Sequence, residues 1–315
     1  MAAGDTVYDT DLGTLKVYNG SSWNGMSAST FPIAIDYLVV AGGGGSGVDN
    51  GAGLGYSGGS GAGGYLSSKD TQGRGVAAAT TPTFAAGTVL TVTVGAGGAS
   101  EAKGNSSVFN NVTALGGGIP SDSNAEKAGG CGAGASASSI DNTDIGGVGS
   151  HGYDGGDNNN ANGATAGGGG AGAAGGEPSS SGSQSGANGG VGNVSTILSV
   201  STATTVGVGE VDGGSVYFSG GGAGSGASSH GTGGLGGGGN GGSNDSGAAK
   251  TGGGCGGTYA VNISGAGGSG VVILRYPATH TLTADGSDSG LTVNTYTEGS
   301  FKVSVYTAGT GNITV

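Results

Sequence analysis

Short glycine tracts with a three-residue spacing constrain this chain more than any other feature of its sequence. Consecutive Gly-X-Gly triplets fill 231–239, and two more triplets at 265–270 run directly into an apolar block. A three-residue repeat fits an extended helix with three residues per turn, which makes no hydrogen bonds within itself. Such a helix must satisfy its backbone groups sideways, on neighbouring segments.

Collagen and polyglycine II share this geometry, and composition separates them. The chain has 83 glycines but only five prolines among 315 residues, and the triplet period breaks every few repeats. Collagen needs glycine at every third position over long runs with abundant proline, so it is excluded. Glycine at two of three positions instead lets backbones approach closely enough to bond one another. The tracts therefore predict a bundle of polyglycine-II helices.

Dense apolar and β-branched blocks lie between and around the tracts and set the fold class. The blocks are 33–41, 89–94, 108–115, 194–212, 216–218 and 271–276. Their patterns are typical of strands, and no segment shows helical periodicity. We therefore expect an all-β protein with essentially no α-helix, in which an apolar core holds the ends of the glycine rods. A flexible linker between β modules is the alternative that composition leaves open.

Composition also divides the chain into three parts. Residues 1–30 form an N-terminal unit, residues 31–277 hold the glycine-rich body, and residues 278–315 are poorer in glycine. The last part is predicted to form a small antiparallel sheet of its own from the segments 291–293, 301–306 and 313–315.

The N-terminal unit has the pattern of a β-hairpin. Its predicted strands are Thr6–Tyr8 and Thr14–Tyr18, with a turn at Asp11–Gly13 between them and Asn19-Gly20 after them. A two-stranded hairpin is marginally stable alone, so we expect it to pack on a neighbouring structure with Trp23 as an anchor.

Charge and hydropathy exclude several classes of partner. The net charge is −12, and the eight Lys and Arg residues are scattered. No basic run can neutralise a phosphate track, so we expect neither nucleic acid nor an anionic membrane surface as a partner. No apolar stretch reaches the about 18 residues of a transmembrane helix, so no membrane insertion is expected. The N-terminus also lacks the pattern of a secretion signal.

Two cysteines are too few for a disulfide framework. Cys131 and Cys255 both lie inside glycine tracts. They are interpreted either as buried thiols that act as small apolar groups or as one disulfide that joins two tracts. A metal site is not expected at either position, because no further ligand lies at metal-binding spacing.

Acid, amide and aromatic groups concentrate in residues 141–144 and 152–160. Carboxylate and amide groups with a stacking tyrosine can recognise a sugar, and the same oxygens can bind Ca²⁺, although EF-hand spacing is missing. Solvated turns are the third interpretation. The candidate receptor-binding residues are Asp141, Asp144, His151, Tyr153, Asp154, Asp157 and Asn158.

No enzyme and no required cofactor are expected. A nucleophilic site needs Ser or Cys paired with His and an acid, and serine is so abundant here that any such trio is a chance match. The same holds for Cys131 with His151. The glycine-rich strings lack the following helix and acid of a dinucleotide site, and no phosphate-binding Gly-Lys-Ser/Thr sequence occurs.

Both ends of the glycine-rich body resemble a known family. IDYLVVAGGGGSG at its start, LTVTVGAGG within it and GGSGVVILRYP at its end look like the glycine-rich domain of many phage tail-fibre and adhesin sequences, over roughly 35–277. Tail-fibre tip adhesins are similar in tract layout. The glycine-rich region of anaplastic-lymphoma-kinase-type receptors is similar too, with polyglycine-II helices embedded in a tumour-necrosis-factor-like β-sandwich. The resemblance therefore implies a β-sandwich of this type.

The resemblance also implies a binding surface. In tip adhesins the loops at the far end of the slab contact the host receptor. The corresponding segments here are 121–127, 139–162, 177–185 and 194–212. Their expected partner is a host-surface glycan or an outer-membrane protein. The additional segment 278–315 departs from the tip-adhesin pattern and leaves open which end of the slab binds.

Residues 1–30 resemble a motif near the start of phage fibre and structural proteins. The resemblance implies that this unit joins the chain to other virion proteins, in an extracellular appendage that is expected to be a homo-oligomer such as a trimer. Two other functions stay open from sequence: a self-assembling or head-decorating structural protein, and an ice-binding protein. Ice binding requires a regular Thr or Ala face, whereas the X positions here are mixed.

Overall fold

Strands dominate the computed structural model. It describes residues 1–9, 14–26, 32–47, 56–121, 123–137, 144–158, 163–179, 184–243, 245–258, 265–284 and 290–315. The helical elements of these residues are a single turn α1 (Asn124–Lys127), the helix α2 (Val200–Val206) and a 3₁₀ turn at Gly73–Gly75. The predicted all-β class with essentially no α-helix is confirmed.

A three-stranded antiparallel sheet occupies the N-terminal unit. Its strands are β1 (Thr6–Asp9), β2 (Thr14–Tyr18) and β3 (Trp23–Met26), in the order β1-β2-β3. The sequence pattern predicts β1 and β2 but misses β3, because WNGM has little of the β-branched character that marks a strand. The Trp23 and Tyr18 rings pack with their centroids 5.4 Å apart. The predicted turn at 11–13 lies outside the described residues.

Two five-stranded antiparallel sheets form the centre of the fold. The strands of the central sheet are β5 (Asp36–Val40), β6 (Tyr65–Ser67), β14 (Val271–Pro277), β16 (Thr292–Glu298) and β17 (Phe301–Ala308). The strands of the outer sheet are β8 (Val89–Thr93), β9 (Ser107–Phe109), β10 (Val112–Ala114), β15 (Thr283–Ala284) and β18 (Thr310–Thr314). The spatial orders are β16-β17-β14-β5-β6 and β10-β9-β8-β18-β15. A separate short pair joins β4 (Ile33–Ala34) to β7 (Thr83–Phe84).

The two sheets pack face to face as a β-sandwich. Tyr37, Val39 and Leu274 of the central sheet lie in one buried cluster with Leu90 and Phe109 of the outer sheet. The opposite face of the central sheet is buried as well, and a strand buried on both faces has an almost continuous apolar sequence. That double burial explains why β5 and β14 lack polar alternation. The tumour-necrosis-factor-like type of this sandwich stays a prediction.

A third layer covers the second face of the central sheet. It consists of α2 and a small sheet of β11 (Asn193–Ser195), β12 (Glu210–Asp212) and β13 (Ser215–Phe218), in the order β11-β13-β12. Leu38, Ile273 and Val305 of the central sheet share a buried cluster with Ala203 and Phe218 of this layer.

The continuous β character predicted for 194–212 is wrong at its centre, where α2 lies. The Ser199 side chain accepts a hydrogen bond from the Thr202 N–H at the helix start, and Gly207 ends the helix with a φ of 67°. Capping and the burial of Ala203 outweigh the low helix propensity of Val and Thr. Because 194–212 packs on the sandwich, it is not one of the loops at the far end of the bundle.

Two strand predictions near the sandwich also need correction. The segment 108–115 is not one strand but the hairpin β9–β10, which turns at Asn110 with a φ of 51°. The C-terminal strands do not form a small sheet of their own, since β17 pairs with β14 and β18 pairs with β8. Val303, Val305 and Ile313 are buried in the two cores, so the C-terminal strands complete both sheets.

Glycine tracts extend from the sandwich side by side and bond one another in the manner of polyglycine II. The N–H groups of 41–46 donate in rotation to the tracts 61–64, 102–105 and 265–268, at 2.9–3.1 Å. Every third residue therefore bonds the same neighbour, which is the period of a threefold helix. The carbonyls of 42–44 accept from three further tracts, through Gly117, Gly98 and Cys255. The predicted lateral bonding is confirmed for this tract.

Successive tracts run away from the sandwich and back, which defines a sandwich end and a far end of the bundle. At the far end, hydroxyl groups of Ser57, Thr165, Ser225 and Thr258 are buried. Thr165 Oγ1 donates to the Ser57 carbonyl at 3.0 Å, and Ser225 Oγ donates to the Thr258 carbonyl at 2.6 Å. The described residues that flank 48–55, 138–143, 159–162, 180–183 and 259–264 lie at this far end.

Candidate functional site

The segment 144–158 carries every candidate receptor-binding residue except Asp141, which lies outside the described residues. This segment runs from the far end to the sandwich end and back. Gly129 pairs with Gly149 near the sandwich, and Gly155 N donates to the Gly147 carbonyl at 3.0 Å. The chain reversal separates the candidates into a far-end group and a sandwich-end group, so they do not form one cluster.

Asp144 and Asp157 of the far-end group both accept hydrogen bonds from within the protein. The Asp144 carboxylate accepts hydrogen bonds from Lys127 Nζ and from Ser136 N, the latter at 3.1 Å. The Lys127 side chain is only 1% exposed, and a buried ammonium needs a counter-ion. Asp157 accepts a hydrogen bond from Gly146 N at 2.8 Å. Asp144 thus holds the segment against the bundle, and Asp157 joins the two arms of the segment to each other.

Asn158, the third member of the far-end group, is almost fully buried. Its Nδ2 donates to the Ser136 carbonyl at 3.0 Å, and its backbone N–H donates to the Asp144 carbonyl at 2.9 Å. The side chain therefore joins two tracts, as buried polar groups generally must find partners inside the protein.

The sandwich-end group surrounds Arg74. The Arg74 guanidinium forms an ion pair with Asp154, donates to the Gly149 carbonyl at 2.8 Å and lies 5.9 Å from the centroid of the Tyr153 ring. Burial alone would raise the pKa of Asp154, but the hydrogen bonds from Arg74 and from Gly149 N lower it below its usual value. The ionised Asp154 carboxylate therefore connects Arg74 to the turn at 149–153.

His151 belongs to the same turn and is partly buried. Its Nδ1 accepts a hydrogen bond from Leu115 N at 3.2 Å, and burial lowers the pKa of the imidazole below its usual 6.5. The neutral ring connects the chain reversal to the tract that follows β10.

Arg74 and Lys127 are not among the individually named candidate residues, although each neutralises one of the candidate acids and Lys127 ends the candidate segment 121–127. The signal for them is their rarity. With eight Lys and Arg residues against twenty Asp and Glu, each cation in a glycine-rich chain is a strong candidate for an internal ion pair. These ion pairs do not test whether Asp144 and Asp154 bind a receptor, which stays a prediction.

The segment also exposes two apolar side chains. Ile145 is 54% exposed and Val148 is 62% exposed. They are three residues apart, so a threefold helix places them on the same side of the rod. A prediction based on polar receptor contacts does not identify the exposed apolar pair Ile145 and Val148.

The remaining chemical possibilities are limited in the described part of the chain. Within it, no three His, Cys, Asp or Glu side chains are arranged to bind a metal ion. None of the helices in this part has the length and hydropathy that spanning a membrane requires. Ca²⁺ binding stays a prediction, for which the described residues offer no cluster of three such ligands.

Cys131 and Cys255 are free thiols, and both are buried. The interpretation as small buried groups therefore fits the structure, whereas the disulfide is not formed. Burial, with a smaller contribution from Asp245, raises the pKa of Cys255 to about 12, and burial raises the pKa of Cys131 as well. Neither thiol is poised as a nucleophile at neutral pH.

Comparison with known proteins gives one match. A family model described as a glycine-rich domain matches residues 21–277, which is most of the chain. None of the curated proteins matches the chain, and none of the solved structures does.

Proposed function

This chain belongs to the glycine-rich domain family, and from that premise we propose that it is a receptor-binding adhesin of a phage tail fibre or a related virion appendage. The proposal is carried by one observation: the described residues that flank five chain segments lie together at the far end of a laterally bonded bundle. A rigid support that carries several connecting segments at one end is suited to recognising a surface.

The sequences of these segments support binding rather than a structural cap. They are 48–55 (VDNGAGLG), 138–143 (SSIDNT), 159–162 (NNAN), 180–183 (SSGS) and 259–264 (YAVNIS). They combine Asn, Asp and Ser with aliphatic residues and one tyrosine, a mixture that hydrogen-bonds sugars and packs on their apolar faces. We propose a host-surface glycan or an outer-membrane protein as the partner.

The N-terminal sheet supports attachment to the rest of an appendage. Val7 is 45% exposed and Tyr8 is 61% exposed on β1. A sheet of three short strands with exposed apolar side chains gains stability from packing on another protein. We propose that residues 1–30 join other virion proteins and that the assembled appendage contains several copies of the chain, such as three.

The test is binding of the fluorescently labelled full chain to a panel of bacterial strains, measured by flow cytometry. In the test variants, 138–143 or 180–183 is replaced by a Gly-Ser segment of the same length. Deletion of the whole stretch 139–162 is unsuitable, because 144–158 contributes rods to the bundle. The matched control replaces 285–289, the connection between β15 and β16, in the same way.

Binding to some strains that is lost in the far-end variants, but kept in the control variant, is the expected result. Uniform failure of the intact chain to bind any strain, together with self-assembly at high concentration, would instead favour the structural-protein function. Thermal hysteresis would indicate ice binding, which the mixed outward residues Asn188, Val191 and Thr232 do not favour.

A further inference from the structure

A cleft of about 390 Å³ opens between the third layer and the central sheet. One wall comes from residues 194–200 and the β12–β13 turn, and the other comes from Arg275 and Glu298 of the central sheet. Arg275 lies toward the end of β14 that is remote from the bundle, since β14 begins at the bundle with Val271. The cleft is therefore separate from the far-end segments.

Glu298 presents an acceptor to this cleft. Its Oε1 accepts hydrogen bonds from Ser199 N at 3.0 Å, Ser199 Oγ at 2.8 Å and Thr202 Oγ1. No described residue donates a hydrogen bond to Oε2. Burial alone would raise the pKa of Glu298, but the hydrogen bonds from Thr202 and Ser199 and the charge of Arg275 lower it, so the group is a carboxylate. Oε2 is thus an open anionic acceptor.

Arg275 presents donors to the same cleft. Its guanidinium stacks on the Phe301 ring, 3.5 Å from the centroid, which fixes the orientation of the guanidinium plane. In the described structure its hydrogen-bond partner is Asp36, with Nη1 and Oδ2 3.3 Å apart. A guanidinium has five N–H donors, so most of them stay available.

Charge and shape decide which ligand fits. Asp36 and Glu298 outweigh the single cation Arg275, so the cleft does not favour an anion. A cation accepts no hydrogen bonds, so it would leave the unused N–H groups of Arg275 without partners. A neutral hydroxyl group uses both kinds of site, because it accepts from a guanidinium and donates to a carboxylate.

The apolar part of the cleft completes the match. Val194 is 40% exposed at the cleft, and the nearly buried Leu198 and Val216 close the wall behind it. A sugar ring has one face rich in C–H groups and a rim of hydroxyls, so it can pack on Val194 while bonding Arg275 and Glu298. We propose that the cleft binds a neutral saccharide of one or two rings, the size that a pocket of this volume holds. This site does not depend on the proposed far-end surface.

The test uses an array of neutral mono- and oligosaccharides probed with the labelled full chain, followed by titration calorimetry on the sugars retained. Ser215→Trp and Val194→Trp add bulk to the cleft from two neighbouring strands of the third layer, and Arg275→Lys keeps the charge but loses the planar donor fork. Ser22→Trp makes the same serine substitution at an exposed position between β2 and β3, outside both the cleft and the far end, and serves as the matched control.

The intact chain and the Ser22→Trp variant are expected to bind the same sugar equally. Each cleft variant should lose about tenfold or more in affinity, since filling the site or removing a bidentate donor removes contacts that water cannot replace. Thermal unfolding shows which variants fold, and either tryptophan variant suffices if the other unfolds. Retention of no neutral sugar, or undiminished binding by a folded cleft variant, overturns the proposal. The far-end proposal is judged separately by cell binding of its loop variants.

Discussion

The buried Lys127 ammonium donates hydrogen bonds to the Asp144 carboxylate and, at 2.8 Å, to the Ile145 carbonyl oxygen. The pair is asymmetric, because the lysine side chain is 1% exposed whereas that of the acid is 25% exposed. Water can solvate the acid but not the base. The pair therefore holds the outer rod 144–148 onto the bundle, and its loss would leave an uncompensated cation inside the protein.

Because the lysine is more buried than the acid, replacing Asp144 is expected to lower the free energy of unfolding more than replacing Lys127. Asp144→Ala should lower the free energy of unfolding by about 3 kcal/mol, because it leaves a buried charge unpaired. Lys127→Met should cost much less, and the double variant should be more stable than Asp144→Ala alone. Urea unfolding measures all three, with Lys103→Met as the control at an exposed lysine. Equal destabilisation by the two single variants would contradict a buried, one-sided pair.

The close approach of the rods predicts a steep penalty for a single methyl group. A Cβ built on Gly43 would overlap the carbonyl oxygen of Gly253. Because that carbonyl belongs to a neighbouring rod, relief would require shifting bonded backbone, and Gly43→Ala should cost about 3 kcal/mol or more. The control is Gly290→Ala, where the nearest atom is 3.6 Å away and the change should stay within about 0.5 kcal/mol. Thermal or urea unfolding compares the two, and similar stabilities would argue against tight rod packing.

The sequence predicts the parts of the fold whose cause is local. The β-branched blocks at β5, β8 and β14 identify strands because their apolar side chains must be buried, and the triplet spacing identifies the rods because glycine alone permits lateral bonding. The helix α2 is different. Val200–Val206 is rich in β-branched residues, and only its caps and its burial against the central sheet make it helical. Tertiary packing of this kind is not visible in a sequence window.

The candidate site likewise combines a feature that the local sequence predicts with others that depend on tertiary contacts. The concentration of Asp, Asn and Tyr in 144–158 correctly marks a segment rich in polar contacts, but the partners of those groups are Arg74 and Lys127, distant in sequence or in another tract. Composition indicates that acids are present and cannot show which way the chain turns between them. The reversal at 149–153, which separates Asp154 from Asp144, depends on main-chain bonds between rods.

Ser219 predicts a stabilising substitution. It adopts a φ of 61°, a left-handed conformation that disfavours a side chain, and its buried Oγ has no hydrogen-bond partner among the described residues. Ser219→Gly removes both costs and should raise the free energy of unfolding by about 1 kcal/mol. Ser219→Ala removes only the unpaired hydroxyl and keeps the backbone strain, so it should gain less. Differential scanning calorimetry compares them, and a Ser219→Gly variant less stable than the parent would show that the hydroxyl has a partner.

His151 predicts a loss of stability on mild acidification. Burial holds the imidazole pKa in the folded protein below 6.5, so the unfolded chain binds a proton first as the pH falls. The neutral ring therefore contributes stability that is fully present above pH 6.5 and is lost as the pH falls toward the folded-state pKa. Protonation of Nδ1 would also remove the acceptor for Leu115 N. His151→Asn keeps an acceptor but cannot titrate, so its melting temperature should fall less between about pH 7 and about pH 5. The control His280→Asn should keep the parental slope because His151 still titrates, and identical pH profiles for parent and His151→Asn would refute the assignment.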